Sequence, residues 1–143
     1  QVAKELVGKN GKVIGVDILD VKKIDNINFI KGDMTKEVTT NKLKKILGEN
    51  KFDNVISDMS PDISGNYDMD QARSIYLCTK ALETAEVFLK KGGNFICKAF
   101  EGRDIEEFID KIKLKFKKIK RFNPKASRKS SSEIYIIAKM YQK

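Results

Sequence analysis

The sequence predicts an α/β fold, with a mostly parallel, twisted sheet, helices on both faces and an antiparallel last strand. Short runs rich in β-branched and aromatic residues alternate with longer segments whose apolar residues recur every three or four positions. The last two strand-like runs are separated only by residues 123–132, which is too short for a helical crossover. Because no linker composition interrupts the pattern, residues 1–143 are expected to form a single domain.

The individual elements follow from these patterns. Strands are expected at residues 12–17, 27–31, 52–58, 94–100, 119–122 and 133–140. Helices are expected at residues 41–47, at residues 70–90 and from residue 104 onward.

The two later helices carry the clearest apolar faces. The long helix is predicted to end at Gly92 and Gly93. Its predicted buried face consists of Ala72, Ile75, Thr79, Leu82, Ala85 and Leu89. The last helix is predicted to begin with a capping box between Asp104 and Glu107. Its predicted buried face consists of Ile105, Phe108, Ile109, Ile112 and Phe116.

The composition excludes several classes of protein. Among the 143 residues, no apolar run approaches the roughly 18–20 residues that a membrane span needs, so no membrane partner is expected. The absence of histidine excludes Ser-His-Asp and Cys-His catalysis and His-ligated zinc, and no metal site is predicted. Cys78 and Cys97 lie in apolar segments and are expected to be buried, reduced thiols of a cytoplasmic protein. Without an initiator methionine or a signal peptide, the chain is expected to be part of a longer protein.

The positive charge of the chain is concentrated near its end. The formal net charge is +9, and residues 111–143 carry all of the excess lysine and arginine while containing Glu133 as their single acid. A concentrated basic face is the usual electrostatic footprint of a nucleic-acid binder. The alternative is a solvated face in a lysine-rich protein.

Three charged residues stand in or beside apolar strand-like runs that should be buried. Asp58 ends the first run, Lys98 is embedded in the second and Glu133 opens the third. Since ionisable groups are rarely buried without a partner, these three side chains are expected to pair in one site. The alternatives are a loop-capping Asp58, an exposed Lys98 on an edge strand and a Glu133 that is only the polar first residue of its strand.

Two further acids are expected where parallel sheets bind ligands, at the carboxyl ends of strands. Asp17 ends the first strand, where an acid accepts hydrogen bonds from ribose hydroxyls in nucleotide-binding folds. Asp33 follows the second strand and could accept from an adenine amino group. Either residue could equally be an ordinary polar residue in a turn.

The ordered set of motifs resembles the FtsJ/RrmJ family of RNA 2′-O-ribose methyltransferases from Gln1 to about Lys139. The matching strings are VIGVD (13–17), IKGD (30–33), SDMSP (57–61), GGNFICKAF (92–100) and SSEIYIIA (131–138). The resemblance implies a Rossmann-like methyltransferase fold that binds S-adenosylmethionine. It also implies a Lys-Asp-Lys-Glu tetrad whose last three members are Asp58, Lys98 and Glu133. The first lysine, the glycine-rich cofactor loop and the first strand of the family would lie before Gln1.

Further contacts come from the same resemblance. It implies cofactor binding by Asp17, Ile18, Asp33, Met34 and Asp58. It implies RNA binding by Arg128, Lys129, Ser131 and Tyr135, although Ser131-Ser132-Glu133 departs from the Ser-Arg-Glu that the family often has. The expected partner is ribosomal RNA, with transfer RNA as an alternative, and the expected state is a monomer.

Three functional hypotheses remain at this point. The first is the methyltransferase, in which Lys98 acts on the ribose 2′-oxygen either as an electrostatic stabiliser or as a base. The second is an RNA-binding module or pseudoenzyme without catalysis. The third is a nucleotide-dependent oxidoreductase, which would explain Asp17 but would leave Lys98 and Glu133 without roles.

Overall fold

The computed structural model describes residues 2–22, 24–124 and 132–143 of the chain. It divides into two compact units, residues 1–49 and residues 50–143. Within the described residues, no helix has the length and apolar character needed to cross a bilayer.

The first unit consists of two parallel strands and two helices. Its elements are α1 (Val2–Val7), β1 (Ile14–Asp17), β2 (Asn28–Lys31) and α2 (Glu37–Leu47). β1 and β2 pair in parallel from Ile14 opposite Asn28 to Asp17 opposite Lys31. Their carboxyl ends therefore lie at the same edge, as expected for the acids that follow them. α2 begins four residues earlier than its apolar pattern suggested, since Thr39 in its first turns is also buried.

The second unit is a mixed four-stranded sheet packed against two helices. Its elements are β3 (Phe52–Ser57), α3 (Tyr67–Phe88), β4 (Leu89–Phe100), α4 (Ile105–Lys113), β5 (Phe116–Phe122) and β6 (Glu133–Tyr141). The strand order is β3-β4-β6-β5. β3 and β4 are parallel, whereas β6 runs antiparallel to both β4 and β5. The predicted α/β class with an antiparallel last strand is confirmed.

The core of the second unit lies between this sheet and the two helices. Alternate residues of β4 and β6 point into it, with Phe95, Cys97, Ile136 and Ala138 fully buried. The predicted apolar face of α4 is confirmed for Ile105, Phe108, Ile109 and Ile112, which are buried in this cluster. Phe116 is buried there as well, but it is the first residue of β5 and not part of the helix. The opposite face of the sheet carries the intervening residues of β4 and β6, including Lys98.

The predicted buried face of α3 is only partly correct in its first half. Ala72 is exposed and Ile75 and Thr79 are only half-buried, whereas Asp70, Ser74 and Cys78 are buried. The face that packs on the sheet is polar in this part of the helix. The apolar residues of this half therefore mark a stripe of the helix next to the one that is buried.

The end of α3 also differs from the prediction. The helix stops at Phe88, and Gly92 and Gly93 lie within β4. The pairing with β3 jumps there from Leu89 opposite Phe52 to Asn94 opposite Asn54. Gly92 has a φ of +81°, and a Cβ on Gly93 would lie 3.0 Å from the carbonyl oxygen of Asp53. The glycines thus permit a bulge between two strands.

Two smaller predictions are also corrected. Asp104 precedes α4 as its N-cap, but its φ of −92° and ψ of 0° are helical and its side chain makes no cap hydrogen bond. The capping box is absent because a capping side chain requires an extended backbone at that position. In the residues that the structure describes, Ile56 of β3 is 64% exposed, whereas Phe52 and Val55 pack against the core. Within those residues β3 pairs with β4 alone.

Candidate active site

The pleat of the sheet places Lys98, Glu133 and Tyr135 on one face. Lys98 lies directly opposite Tyr135 in the antiparallel pairing of β4 and β6, and Glu133 lies two residues before Tyr135 on the same strand. Successive side chains alternate between the two faces of a strand, and the neighbours Cys97 and Ile134 point into the core. The three polar side chains therefore share the face that points away from the core.

Asp58 joins this group from the end of β3. Ser57 is the last residue of β3 and lies opposite Cys97, so that Asp58 follows beside Lys98. The Lys98 Nζ atom lies 3.3 Å from Asp58 Oδ1 and 4.0 Å from Glu133 Oε1. The expected pairing of the three charges is present in the structure.

The burial of the three charged side chains is unequal. The Lys98 side chain is 12% exposed, whereas those of Asp58 and Glu133 are 69% and 42% exposed. The cation is therefore the desolvated member, held between two carboxylates that water still reaches.

Tyr135 completes the cluster. Its hydroxyl donates a hydrogen bond to Asp58 Oδ1 at 3.2 Å. Burial raises the pKa of Tyr135, and the charge of Asp58 and this hydrogen bond raise it further, against the opposing effect of Lys98. Tyr135 thus remains a protonated donor that fixes the Asp58 carboxylate. The sequence named Tyr135 only as an RNA contact and gave no sign of this bond.

The four side chains could hold a hydroxyl group for reaction. A desolvated cation stabilises negative charge that develops on a nearby oxygen. The carboxylates keep the ammonium in one orientation, and the tyrosine keeps one carboxylate in place. Within the described residues, no group of three or more acids or cysteines is placed to hold a metal ion.

Four of the five candidate cofactor residues lie in the first unit, and Asp58 belongs to the second. Asp17 ends β1, and its Oδ1 accepts a hydrogen bond from the Leu19 amide at 2.9 Å. Asp33 Oδ1 accepts from the Thr35 amide at 2.8 Å and from the Thr35 hydroxyl at 2.7 Å. These bonds, the hydroxyl first, lower the pKa of Asp33. Both acids are therefore fixed in turns at the carboxyl ends of neighbouring strands.

The remaining predicted cofactor and RNA contacts differ in exposure and in whether the structure describes them. Ile18, next to Asp17, is 64% exposed, and Met34, next to Asp33, is half-buried. Arg128, Lys129 and Ser131 lie outside the described residues.

Basic side chains follow the same sheet face away from Lys98. In the pairing of β5 with β6, Phe122 lies opposite Tyr135, Lys120 opposite Ile137 and Lys118 opposite Lys139. Directly opposite residues project to the same face of a sheet. Lys118, Lys120, Phe122 and Lys139 are all exposed, so a basic strip leads along the face to the site.

Comparisons with known proteins give the class first. A crystal structure of a Plasmodium falciparum protein, assigned as a ribosomal RNA methyltransferase, superposes with a TM-score of 0.82 at 28% identity. It covers 91% of this chain and 72% of that one. The fold therefore belongs to the methyltransferase class.

The family follows from sequence. The model of the FtsJ-like methyltransferase family matches residues 1–141, and the chain belongs to this family. The ribosomal RNA large subunit methyltransferase E of Methanocaldococcus jannaschii is 48% identical over 99% of this chain and 59% of its own length. The protein of the same description from Methanococcoides burtonii is 45% identical over 97% of this chain and 51% of its own length. The chain thus spans somewhat more than half of these relatives, and the oxidoreductase hypothesis loses its support.

Proposed function

We propose that this chain carries the catalytic residues of an RNA 2′-O-ribose methyltransferase that uses S-adenosylmethionine and acts on ribosomal RNA. The observation that carries the proposal is the cluster of Lys98 with Asp58 and Glu133, within a chain of the FtsJ-like family. The relatives described above are named for ribosomal RNA, which favours that substrate over transfer RNA.

The acceptors of the first unit fit the proposed cofactor. A ribose presents two hydroxyl donors and an adenine presents an amino donor, so carboxylates are suitable partners for both. Asp17 would accept from the ribose and Asp33 from the adenine, with Ile18 and Met34 as apolar neighbours. When bound, S-adenosylmethionine supplies a methyl group that is activated by its positive sulfur.

Lys98 is proposed to act on the ribose 2′-hydroxyl. A hydroxyl is a weak nucleophile at neutral pH, and the negative charge that develops on its oxygen needs a partner. The Lys98 ammonium would stabilise that charge. Asp58 and Glu133 would hold Lys98 in position, while Tyr135 holds Asp58. We propose this electrostatic role for Lys98 and keep the role of a base as the alternative.

The basic strip of β5 and β6 is proposed to bind the RNA backbone. Lys118, Lys120 and Lys139 are spaced along the face that carries Lys98, and each can neutralise a phosphate. Exposed Phe122, opposite Tyr135, offers a ring on which a base can stack. We propose that Arg128, Lys129 and Ser131 also bind the RNA. A single domain, a monomer and a cytoplasmic location complete the proposal, and the two free thiols are compatible with a reducing compartment.

The proposal is tested by substituting Lys98 in the intact protein. Lys98→Ala should abolish transfer of labelled methyl groups to unmodified ribosomal RNA while the affinity for S-adenosylmethionine stays nearly unchanged. Lys98→Arg should fail as well, because a planar guanidinium has a different shape and different donor geometry. Methyl incorporation gives the activity, and calorimetric titration gives the cofactor affinity.

Lys90→Ala is the matched control. Lys90 lies on the same strand and pairs with Asp53 at 2.5 Å, but both side chains are largely exposed. This variant should retain full activity. Near-normal turnover by Lys98→Ala would contradict the assignment. An intact wild-type protein that binds RNA but neither binds S-adenosylmethionine nor transfers methyl groups would instead support the RNA-binding module.

A further inference from the structure

A line of buried polar side chains runs along the first half of α3. Asp70, Ser74 and Cys78 are spaced four residues apart, so they share one face of the helix. Their exposures are 5%, 2% and 2%. Buried polar groups destabilise a fold unless they are hydrogen-bonded, so these three residues need partners. All three have them, and the partners lie close in sequence to the proposed catalytic residues.

Two of the partners are backbone groups of β4, at Lys98 and two residues after it. The Cys78 thiol donates a hydrogen bond to the carbonyl oxygen of Lys98 at 3.0 Å. Ser74 Oγ accepts from the amide of Phe100, also at 3.0 Å.

The sheet register explains why a helix is needed there. β3 pairs with β4 only as far as Ser57 opposite Cys97. Residues of equal parity on a strand direct their backbone groups to the same edge, so the Lys98 carbonyl and the Phe100 amide face the side from which β3 has ended. Ser74 and Cys78 supply the hydrogen bonds that a longer β3 would have made. Because β3 ends, Asp58 can turn toward Lys98.

The thiols and the hydroxyl form a connected network. Cys97 donates to the sulfur of Cys78, and Ser74 also contacts that sulfur. The hydrogen bond to Cys78, together with burial, raises the pKa of the Cys97 thiol well above its ordinary value. The hydrogen bond from Cys97 lowers the pKa of the Cys78 thiol, against the effect of its burial.

The third residue, Asp70, holds the loop that follows Asp58. Its carboxylate accepts from the Ser64 amide at 2.9 Å, from the Ser64 hydroxyl at 2.7 Å and from the Gly65 amide at 3.2 Å. The helix face thus holds the chain near both Lys98 and Asp58.

We propose that Ser74 and Cys78 are positioning residues for methyl transfer, which fix the backbone of Lys98, and that Asp70 does the same for the loop after Asp58. The inference rests on the proposed function. The lysine side chain is long, so the place of its Nζ depends on a fixed Cα as well as on the carboxylates. Small displacements of a catalytic group strongly lower the rate of a reaction that depends on alignment.

The test uses Ser74→Ala and Cys78→Ala in the intact protein. Each variant should lower kcat about tenfold, as expected for a displaced catalytic group. The KM for S-adenosylmethionine should stay within about twofold, because the cofactor contacts are untouched. Cys78→Ser keeps a donor at the same place and should restore kcat to within about twofold of wild type.

Leu82→Ala serves as the control for general destabilisation. Leu82 is buried one turn further along the same face but has no polar contact with β4. It should keep the wild-type kcat at temperatures where the protein remains folded. If Leu82→Ala loses as much kcat as Cys78→Ala, or if Cys78→Ser fails to recover it, the positioning role is refuted.

Amide hydrogen exchange at Phe100 gives a readout that does not require activity. Ser74→Ala should speed this exchange at least about tenfold relative to core amides, because its acceptor is lost. Unchanged kcat in Ser74→Ala despite faster exchange would refute the positioning proposal alone. A wild-type protein with a protected Phe100 amide but no methyl transfer would refute the proposed function. The hydrogen bonds from Ser74 and Cys78 would then have no catalytic role.

Discussion

Replacing Lys98 by methionine should remove activity while leaving the stability of the fold almost unchanged. Methionine has a similar length and fills the same space without a charge. The substitution therefore separates the contribution of the cation to catalysis from its contribution to folding. Lys98 is suited to this test because its own side chain is 12% exposed while its two partners remain accessible to water.

The expected change in stability follows from opposing terms of similar size. At an effective dielectric constant of about 20, a separation of 3.3 Å gives roughly 5 kcal/mol of attraction and 4.0 Å gives roughly 4 kcal/mol. Because Asp58 and Glu133 are 69% and 42% exposed, water screens both values strongly. Desolvation of the ammonium opposes the remainder by several kcal/mol. The free energy of unfolding should thus change by no more than about 1 kcal/mol in either direction.

The expected loss of activity is much larger. Without the cation, charge developing on the 2′-oxygen has no partner in this cluster, and a loss of at least about 100-fold corresponds to roughly 2.7 kcal/mol of transition-state stabilisation. Urea unfolding of the intact protein measures the stability, with the slope checked for constancy. Single-turnover methyl transfer to ribosomal RNA measures the activity. Lys90→Met, in the exposed pair with Asp53, is the control for both.

Two results would contradict this reasoning. A loss of more than about 3 kcal/mol in stability would mean that the carboxylates are effectively buried and that Lys98 is a structural partner for them. Retention of methyl transfer near the wild-type rate would mean that the cation does not act on the reacting oxygen.

Two other predictions concern the neighbourhood of the site. Hydrogen bonds from Ser64, its hydroxyl first, lower the pKa of Asp70 below its usual 3.8, so its contribution to stability is present above about pH 4 and is lost as the pH falls through its folded value. Asp70→Asn should therefore flatten the acid limb of the stability profile, and an unchanged limb would contradict this. Replacing Lys118, Lys120 and Lys139 by alanine should weaken RNA binding and reduce its logarithmic salt dependence by roughly 0.7 per lost phosphate contact. Replacing the three exposed lysines of α2 should leave that slope unchanged, and equal effects would indicate non-specific attraction.

The charged cluster could be predicted because charged side chains rarely stand in or beside buried apolar strands. Lys98 stands in a run that otherwise packs into a core, and Asp58 and Glu133 flank two similar runs. A buried charge needs a partner, so the partners could be inferred without knowing the strand order. The sequence could not predict that the side chains of Asp58 and Glu133 would be 69% and 42% exposed while that of Lys98 is 12% exposed, because burial depends on how the elements pack.

The polar face of α3 was not predictable by the same route. Periodicity analysis looks for apolar residues, and the helix hides Asp70, Ser74 and Cys78 in its buried stripe while exposing Ala72. The signal was nevertheless present in the sequence, as three hydrogen-bonding side chains at intervals of four. Such a stripe becomes meaningful only when a backbone with unpaired groups lies opposite it. The backbone of β4 has such groups because β3 ends early, and this end depends on the tertiary structure.

These two observations are connected by one structural requirement. A catalytic acid can reach a lysine on the next parallel strand only if its own strand stops before the lysine does. The stop leaves the lysine backbone without its ladder partner on that side. Some other element must then supply the missing hydrogen bonds, or the lysine would sit on the least ordered part of its strand. The buried serine and cysteine of α3 meet this need, so the position of the carboxylate and the polarity of the helix follow from the same truncated strand.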